Sequence, residues 1–183
     1  AVSSGWKNIN DEIWIIGSRD SGLTLGATSY LEYFHGQITG RPPSLNLIDE
    51  KLCQLFIRNG ILNNLIISSH DISDGGLAIA LAEACILSDK GASINLIANE
   101  RIDSLLFSEG GSRIIFSISH MKKNEWLKFV SEESKNFTDS IYITKIGTVL
   151  QDTLKIKISD NIICDLKISS LADKFNNGLS NNF

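Results

Sequence analysis

The chain has 183 residues, enough for one domain with a sizeable core, and its 43% hydrophobic and 21% charged residues are ordinary for a globular protein. A formal charge of −4 and a pI near 5.4 argue against duplex nucleic acid as a partner, because phosphate neutralisation needs a basic face. No apolar run reaches the roughly 18 residues of a membrane span, and Cys53, Cys85 and Cys164 are dispersed and odd in number, which suits buried thiols in a reducing, cytoplasmic compartment.

Taken in chain order, residues 12–17 read as a strand and 18–26 as a polar, glycine-bearing loop. Residues 27–35 read as a short helix with Tyr30, Leu31 and Phe34 on one face, and the break at 36–43 holds both prolines. Leu47, Ile48, Leu52, Leu55 and Phe56 recur at three- and four-residue spacing, which predicts an amphipathic helix over 46–58 that stops at Gly60. Asp49 and Glu50 fall in its first turns, where negative charge suits the helix dipole. A strand at 64–69, an apolar helix at 75–88, a strand at 93–98 and a short helix at 102–107 follow. Next come a strand at 114–118 and an exposed amphipathic helix at 122–133 carrying Trp126, Leu127 and Val130. Strands at 141–149, 154–158 and 162–168 close the chain, with turns at Asp152 and at Asp160-Asn161, before a helix at 170–175 and a polar tail at 176–183. Alternating elements followed by consecutive strands predict an α+β fold with a mixed β-sheet covered by helices, in α/β layers.

Two polar knots interrupt this pattern. The first, His70-Asp71-Ile72-Ser73-Asp74-Gly75-Gly76, joins a buried strand to a helix that is apolar on almost every side. A helix start carries unpaired N–H donors and partial positive charge, so it can hold a phosphate. The same residues also suit plain capping, with Ser73 or Asp74 as the N-cap and the glycines giving the turn its freedom. Spacing alone leaves both readings open. The second knot, Ser108-Glu109-Gly110-Gly111-Ser112-Arg113, places a Gly-Gly pair before a strand, which can form a concave anion site, with Arg113 able to pair with phosphate. A glycine-rich turn with an exposed ion pair reads the same residues equally well.

Other candidates are thinner. His35 and His120 have no metal-ligand spacing to each other or to His70, and Trp6, Trp14 and Trp126 are too separated in sequence for a stacking platform. No Gly-x-Ser-x-Gly elbow exists to anchor a hydrolase triad. The residues offer an imidazole among acids and no activated nucleophile.

The run from Ser68 to Cys85, built on His-Asp-Ile-Ser-Asp-Gly-Gly, resembles the signature of the C-terminal domain in the PurM/PurL (AIR synthase-related) ATP-binding superfamily. Within that superfamily it is most similar to the large synthetase subunits of formylglycinamidine synthases. Leu25 to Leu31, His35-Gly36 and the Gly40-Arg41-Pro42-Pro43 run resemble the stretch ahead of the signature, and Leu106 to Arg113 resembles a later loop. The resemblance extends from about residue 13 to 168 and ends with Lys145 to Val149.

This resemblance implies a PurM C-terminal-domain-like fold and a chain that is one C-terminal domain, spanning 1–183, of a longer multidomain protein. It implies an ATP- and magnesium-dependent enzyme that converts formylglycinamide ribonucleotide to its amidine in purine synthesis. The implied partners are upstream domains of the same chain, a glutaminase subunit and a small accessory subunit. The family's catalytic histidine, nucleotide lysine and Gly-Gly-Asn metal segment lie upstream and are absent here, so no catalytic or metal-ligating residue is expected in this chain. His70, Asp71, Ser73, Asp74, Gly75 and Gly76, with Glu109, Gly110, Gly111 and Ser112, are expected to border a phosphate or nucleotide pocket. Where the family often has Glu-Ser-Gln, this chain has Glu109-Gly110-Gly111. Aminoimidazole ribonucleotide synthase, selenophosphate synthase, a hydrogenase-maturation dehydratase and a non-catalytic interface module are the competing readings.

Overall fold

A computed structural model describes residues 1–19, 23–97 and 101–177. Seven strands form one sheet: β1 (Glu12–Ser18), β2 (Ile66–Asp71), β3 (Gly91–Leu96), β4 (Arg113–Ile118), β5 (Ile141–Leu150), β6 (Thr153–Ile158) and β7 (Asn161–Lys167). Their order is β2-β4-β1-β5-β3-β6-β7, and every neighbouring pair is antiparallel except β3 with β6. Among the described residues six α-helices accompany them: α1 (Ser29–His35), α2 (Leu47–Leu62), α3 (Gly76–Ser88), α4 (Ile102–Phe107), α5 (Lys123–Glu133) and α6 (Ile168–Asn177). The architecture is the expected α+β mixed sheet. The closing strands are not a meander, however, because β3 inserts between β5 and β6.

Strand alternation sorts the core into two layers. Ile13 and Ile15 of β1 face one side, with Leu77, Leu81 and Cys85 of α3, Leu106 of α4 and Ile168 at the start of α6. Trp14 and Ile16 face the other, with Cys53, Phe56 and Ile57 of α2 and Trp126 and Phe129 of α5. Ala80 and Ala84 of α3 are buried in the first layer, and α4 and α6 pack beside the helix.

Two of the tryptophans come together in the core although they lie far apart in sequence. Trp14 and Trp126, distant in sequence, meet edge-to-face at 5.5 Å, and Phe56 and Phe116 lie 5.7 and 5.4 Å from Trp126. They form the second core, with Trp126 fully buried while Leu127 points outward at 46% exposure. Gly60 does not stop α2, which runs on to Leu62. A side chain there would stand 2.5 Å from Ile66 Cδ1, so this glycine serves the close approach of β2 instead. β3 starts at Gly91, earlier than its spacing suggests, because Asp89 takes the left-handed turn (φ 51°) directly after α3; Ala98 lies outside the described residues. The tail beyond Asn177 is likewise outside them.

Cys53 and Cys85 are buried, and burial pushes both thiols up to about 12. Trp6 Nε1 donates to Cys85 Sγ at 3.3 Å. Cys164 is only partly buried. Among the described residues no helix is long and apolar enough to cross a membrane.

Candidate functional site

β2 carries the first knot further into the sheet than its sequence suggests, since His70 and Asp71 are its last two residues, paired with Ile115 and Ile114 of β4. The chain then turns inward at Ile72, which is buried and whose N–H donates to the Arg113 carbonyl at 3.0 Å. Gly76 N–H donates to the Ser73 carbonyl at 3.0 Å, and Gly75 and Gly76 hold φ of 77° and 70°. Glycine takes such left-handed positions without the steric cost a Cβ brings.

The N-cap of α3 is Gly75, so neither Ser73 nor Asp74 caps the helix, and both are exposed. The cap comes from the second knot. Glu109 Oε1 accepts the Gly75 N–H at 2.7 Å and the Ser29 N–H of α1 at 3.0 Å, so one carboxylate oxygen ties two helix starts together. Both knots are therefore one structure. A Cβ on Gly76 would lie 2.7 Å from the Phe107 carbonyl carbon and from the Ser108 oxygen, which shows how closely the backbones meet.

His70 is largely buried, with its side chain 13% exposed, and its Nε2 lies 3.1 Å from Glu83 Oε2 on α3. Its Nδ1 lies 3.5 Å from Asp71 Oδ1 but is buried with no hydrogen-bond partner among the described residues. Glu83 was not singled out from sequence. The signal was present, as a lone carboxylate in the run Leu81-Ala82-Glu83-Ala84-Cys85 needs a reason to be there. Asp71, Ser73 and Asp74 present exposed side chains on the same loop.

The second knot divides. Gly110 is buried and Gly111 exposed, while Ser112 is buried at φ 57° and donates its hydroxyl to Glu50 Oε2 at 2.7 Å. Arg113 is not an exposed ion-pair partner or a phosphate ligand. It is 3% exposed, its Nη2 donates to the Ser108 carbonyl at 2.5 Å, and burial pushes its pKa down. Behind Ser112 sits a centre that sequence reading missed. Asp49 of α2 is fully buried and accepts hydroxyls from Ser18 and Ser140 at 2.5 Å and from Thr138 at 2.7 Å.

The Glu109 cap carries a prediction. Glu109→Ala removes the acceptor of two backbone N–H groups and should cost about 2–3 kcal/mol, whereas Glu109→Gln, which keeps a carbonyl acceptor, should cost about half. Urea unfolding of both variants is the measurement. Losses within about 0.5 kcal/mol of zero for both would remove the cap from the account.

No group of three or more His, Cys, Asp or Glu side chains is placed to hold a metal ion among the described residues. The arrangement has one imidazole, exposed carboxylates and hydroxyls around a helix start, and no nucleophile with a base beside it.

Comparison with known proteins bears on this arrangement. Residues 8–152 match the family described as AIR synthase related protein, C-terminal domain. The PurL subunit of phosphoribosylformylglycinamidine synthase from Prochlorococcus marinus strain AS9601 is 61% identical over all of this chain, and that of strain SARG is 43% identical over 96% of it. The chain spans about a quarter of the length of these relatives, 24% and 23%. Among solved structures, Thermotoga maritima PurL complexed with FGAR superposes with a TM-score of 0.70 at 17% identity, covering 93% of this chain and 29% of that one. A HypE–HypF complex superposes with a TM-score of 0.56 at 18% identity, over 91% of this chain and 55% of that one, so the fold extends to hydrogenase-maturation proteins. With the matched segment running from before β1 to the end of β5 and holding both knots, this chain belongs to the AIR synthase-related family, as a C-terminal domain.

Proposed function

We propose that the chain is the C-terminal domain of a formylglycinamidine synthase synthetase subunit, acting in the cytoplasm in purine synthesis. The observation that carries this reading is 61% identity over the whole chain with a PurL subunit. The reaction joins ammonia, drawn from glutamine by a glutaminase subunit, to formylglycinamide ribonucleotide at the expense of ATP. An amide oxygen is a poor leaving group; ATP phosphorylates it and departs as ADP, ammonia adds to the activated carbon and gives up a proton, and the oxygen leaves as phosphate. Such chemistry needs positioned donors and charge neutralisation more than a protein nucleophile, which suits a site without a triad.

In this reading the chain borders the nucleotide or phosphate pocket and supplies no catalytic group. His70, Asp71, Ser73 and Asp74 contribute side chains; Gly75, Gly76, Gly110 and Gly111 contribute backbone; Glu109 and Ser112 hold the frame. Magnesium would take its protein ligands outside this chain and would supply charge neutralisation at the phosphates. The upstream domains of the same protein are the proposed cover for an apolar face formed by Tyr33, Phe34, Ile38, Leu45, Leu47 and Ile48, all at least 56% exposed. A glutaminase subunit and a small accessory subunit complete the proposed complex; a solved structure of PurLQS from T. maritima supports a multi-subunit assembly.

A second reading has its own observation. Because the Glu109 carboxylate already occupies the N–H groups of Ser29 and Gly75, the knot can be a closed structural joint in a packing module. Steady-state amidine formation by the full-length enzyme separates the two. If Asp71 borders the pocket, Asp71→Asn should raise KM for Mg-ATP about tenfold, equivalent to about 1.4 kcal/mol, with little change in melting temperature. Unchanged KM selects the packing module, and a full-length enzyme that forms no amidine from these substrates defeats the functional reading.

A further inference from the structure

We propose, on the reading of Asp71 as part of the nucleotide-pocket border, that Glu83 is a positioning residue for that pocket. It fixes the His70 imidazole, and His70 in turn holds the Asp71 carboxylate in place. Glu83 is the one charged residue of α3, which is otherwise small and apolar up to Ser88. It sits two turns into the helix, beyond the first turn in which a carboxylate gains from the dipole. It caps no helix start, since Gly75 stands at that position and Glu109 supplies the acceptor. What Glu83 meets is His70, 13 residues earlier on β2.

The geometry at the ring is specific. His70 Nε2 lies 3.1 Å from Glu83 Oε2. An ionised carboxylate can only accept, so Nε2 carries a proton and α3 sets the orientation of the ring. That turns the other nitrogen toward Asp71: Nδ1 lies 3.5 Å from Asp71 Oδ1 and is buried without a hydrogen-bond partner. With a lone pair at Nδ1 the ring would set two acceptors face to face. With a proton there it is a cation between two carboxylates, and Asp71 is drawn toward it. Around the ring, β4 presents Ile114 and Ile115 opposite, and residues 1–5, which bridge β2 at Ser3, carry no charged side chain. Among the described residues, Asp71 and Glu83 are the charges that meet this imidazole.

What this does for the pocket follows from exposure. The Asp71 side chain is 75% exposed and makes no hydrogen bond among the described residues. Left alone, such a side chain samples its rotamers in water and has to be frozen each time a ligand engages it, which weakens binding. His70, with its side chain 13% exposed, is a nearly fixed body behind it, and its far nitrogen is anchored to a helix of the core. Glu83 thereby reaches the pocket border through two side chains and touches no ligand itself.

A double-mutant cycle in the full-length enzyme, read by steady-state amidine formation, tests the relay. Glu83→Ala should raise KM for Mg-ATP about fivefold with kcat unchanged, the cost of freezing one side chain on binding. Combined with Asp71→Asn it should add nothing to the roughly tenfold effect of that substitution, because Glu83 acts only through Asp71. Glu83→Gln, whose amide oxygen still accepts from Nε2, should stay within about twofold of the wild type. His70→Asn breaks the same relay at its middle and should give the same rise of about fivefold, which covers a Glu83→Ala variant that does not fold. A KM unmoved by Glu83→Ala and His70→Asn, or a double variant near the roughly fiftyfold product of independent sites, overturns the positioning role and leaves Asp71 in the pocket. A KM unmoved by Asp71→Asn removes the pocket reading and this role with it.

Discussion

Gly76→Ala should lower stability by about 3 kcal/mol or more, the sum of about 1–2 for a left-handed residue with a Cβ and about 1–3 for overpacking. Gly76 sits at φ 70°, and its added Cβ would meet three backbone atoms where α4 runs into the second knot, the Phe107 carbon and the Ser108 and Leu106 oxygens, at 2.7–2.8 Å. None of these can rotate away. The neighbouring Gly75 gives the control. It has a similar φ of 77°, but its Cβ would meet the Ile79 side chain, which can move. Gly75→Ala should therefore cost close to the conformational penalty alone, about 1–2 kcal/mol. For a domain of this size about 1 kcal/mol moves the melting temperature by about 2–4 °C, so thermal melts resolve the two. Equal losses at the two glycines would mean that the knots do not meet as tightly as the structure places them.

That contact explains how much of the site was legible in sequence. The signature glycines and the apolar helix after them located the knot in the sequence, although spacing alone left capping and phosphate binding open. The partner of the helix start was not legible. Glu109 lies 34 residues from Gly75 and 80 from Ser29, and no local rule connects them. Capping rules therefore nominated Ser73 and Asp74, which the chain instead leaves exposed. Arg113 failed for a related reason. Beside two glycines it reads as solvent-facing, but β4 begins with it and the pleat turns it inward against Gly17 and Tyr142. The elements themselves were largely legible, since the alternation of Ile13 to Ile16 and the spacing of α2 are local signals. Sheet order was not, because the insertion of β3 between β5 and β6 is set by packing at long range.

Asp49→Ala should be the other costly substitution, at about 3 kcal/mol or more, because it removes several hydrogen bonds to a charged group, each worth about 1.5–3 kcal/mol. Ser18 ends β1, Thr138 and Ser140 precede β5, and all three hydroxyls donate to a carboxylate on α2 that is fully shielded from water. Removing it takes a shared acceptor from three hydroxyls, of which that of Ser18 is buried and those of Thr138 and Ser140 are partly buried. Asp49→Asn, close in shape, keeps one acceptor and should cost less, which guards against an alanine variant that does not fold. The carboxylate also makes stability depend on pH. Burial alone would push its pKa up, but hydrogen bonds from Ser140, Ser18 and Thr138 outweigh it and leave the group below its ordinary value of 3.8. Glu12 behaves alike: burial pushes it up, and hydrogen bonds from Lys145 and Trp14, with the charges of Lys145 and Lys123, bring it below 4.5. A carboxyl depressed in the folded state binds its proton more readily when unfolded, so stability rises with pH in that range. The contribution is complete above the ordinary values and drains away as pH falls through the folded ones. Urea midpoints measured downward from pH 6 should fall below about pH 4.5 in the wild type, and the Asp49→Asn curve should fall less steeply. Parallel curves would mean that the Asp49 carboxylate is no more acidic in the folded chain than in the unfolded one.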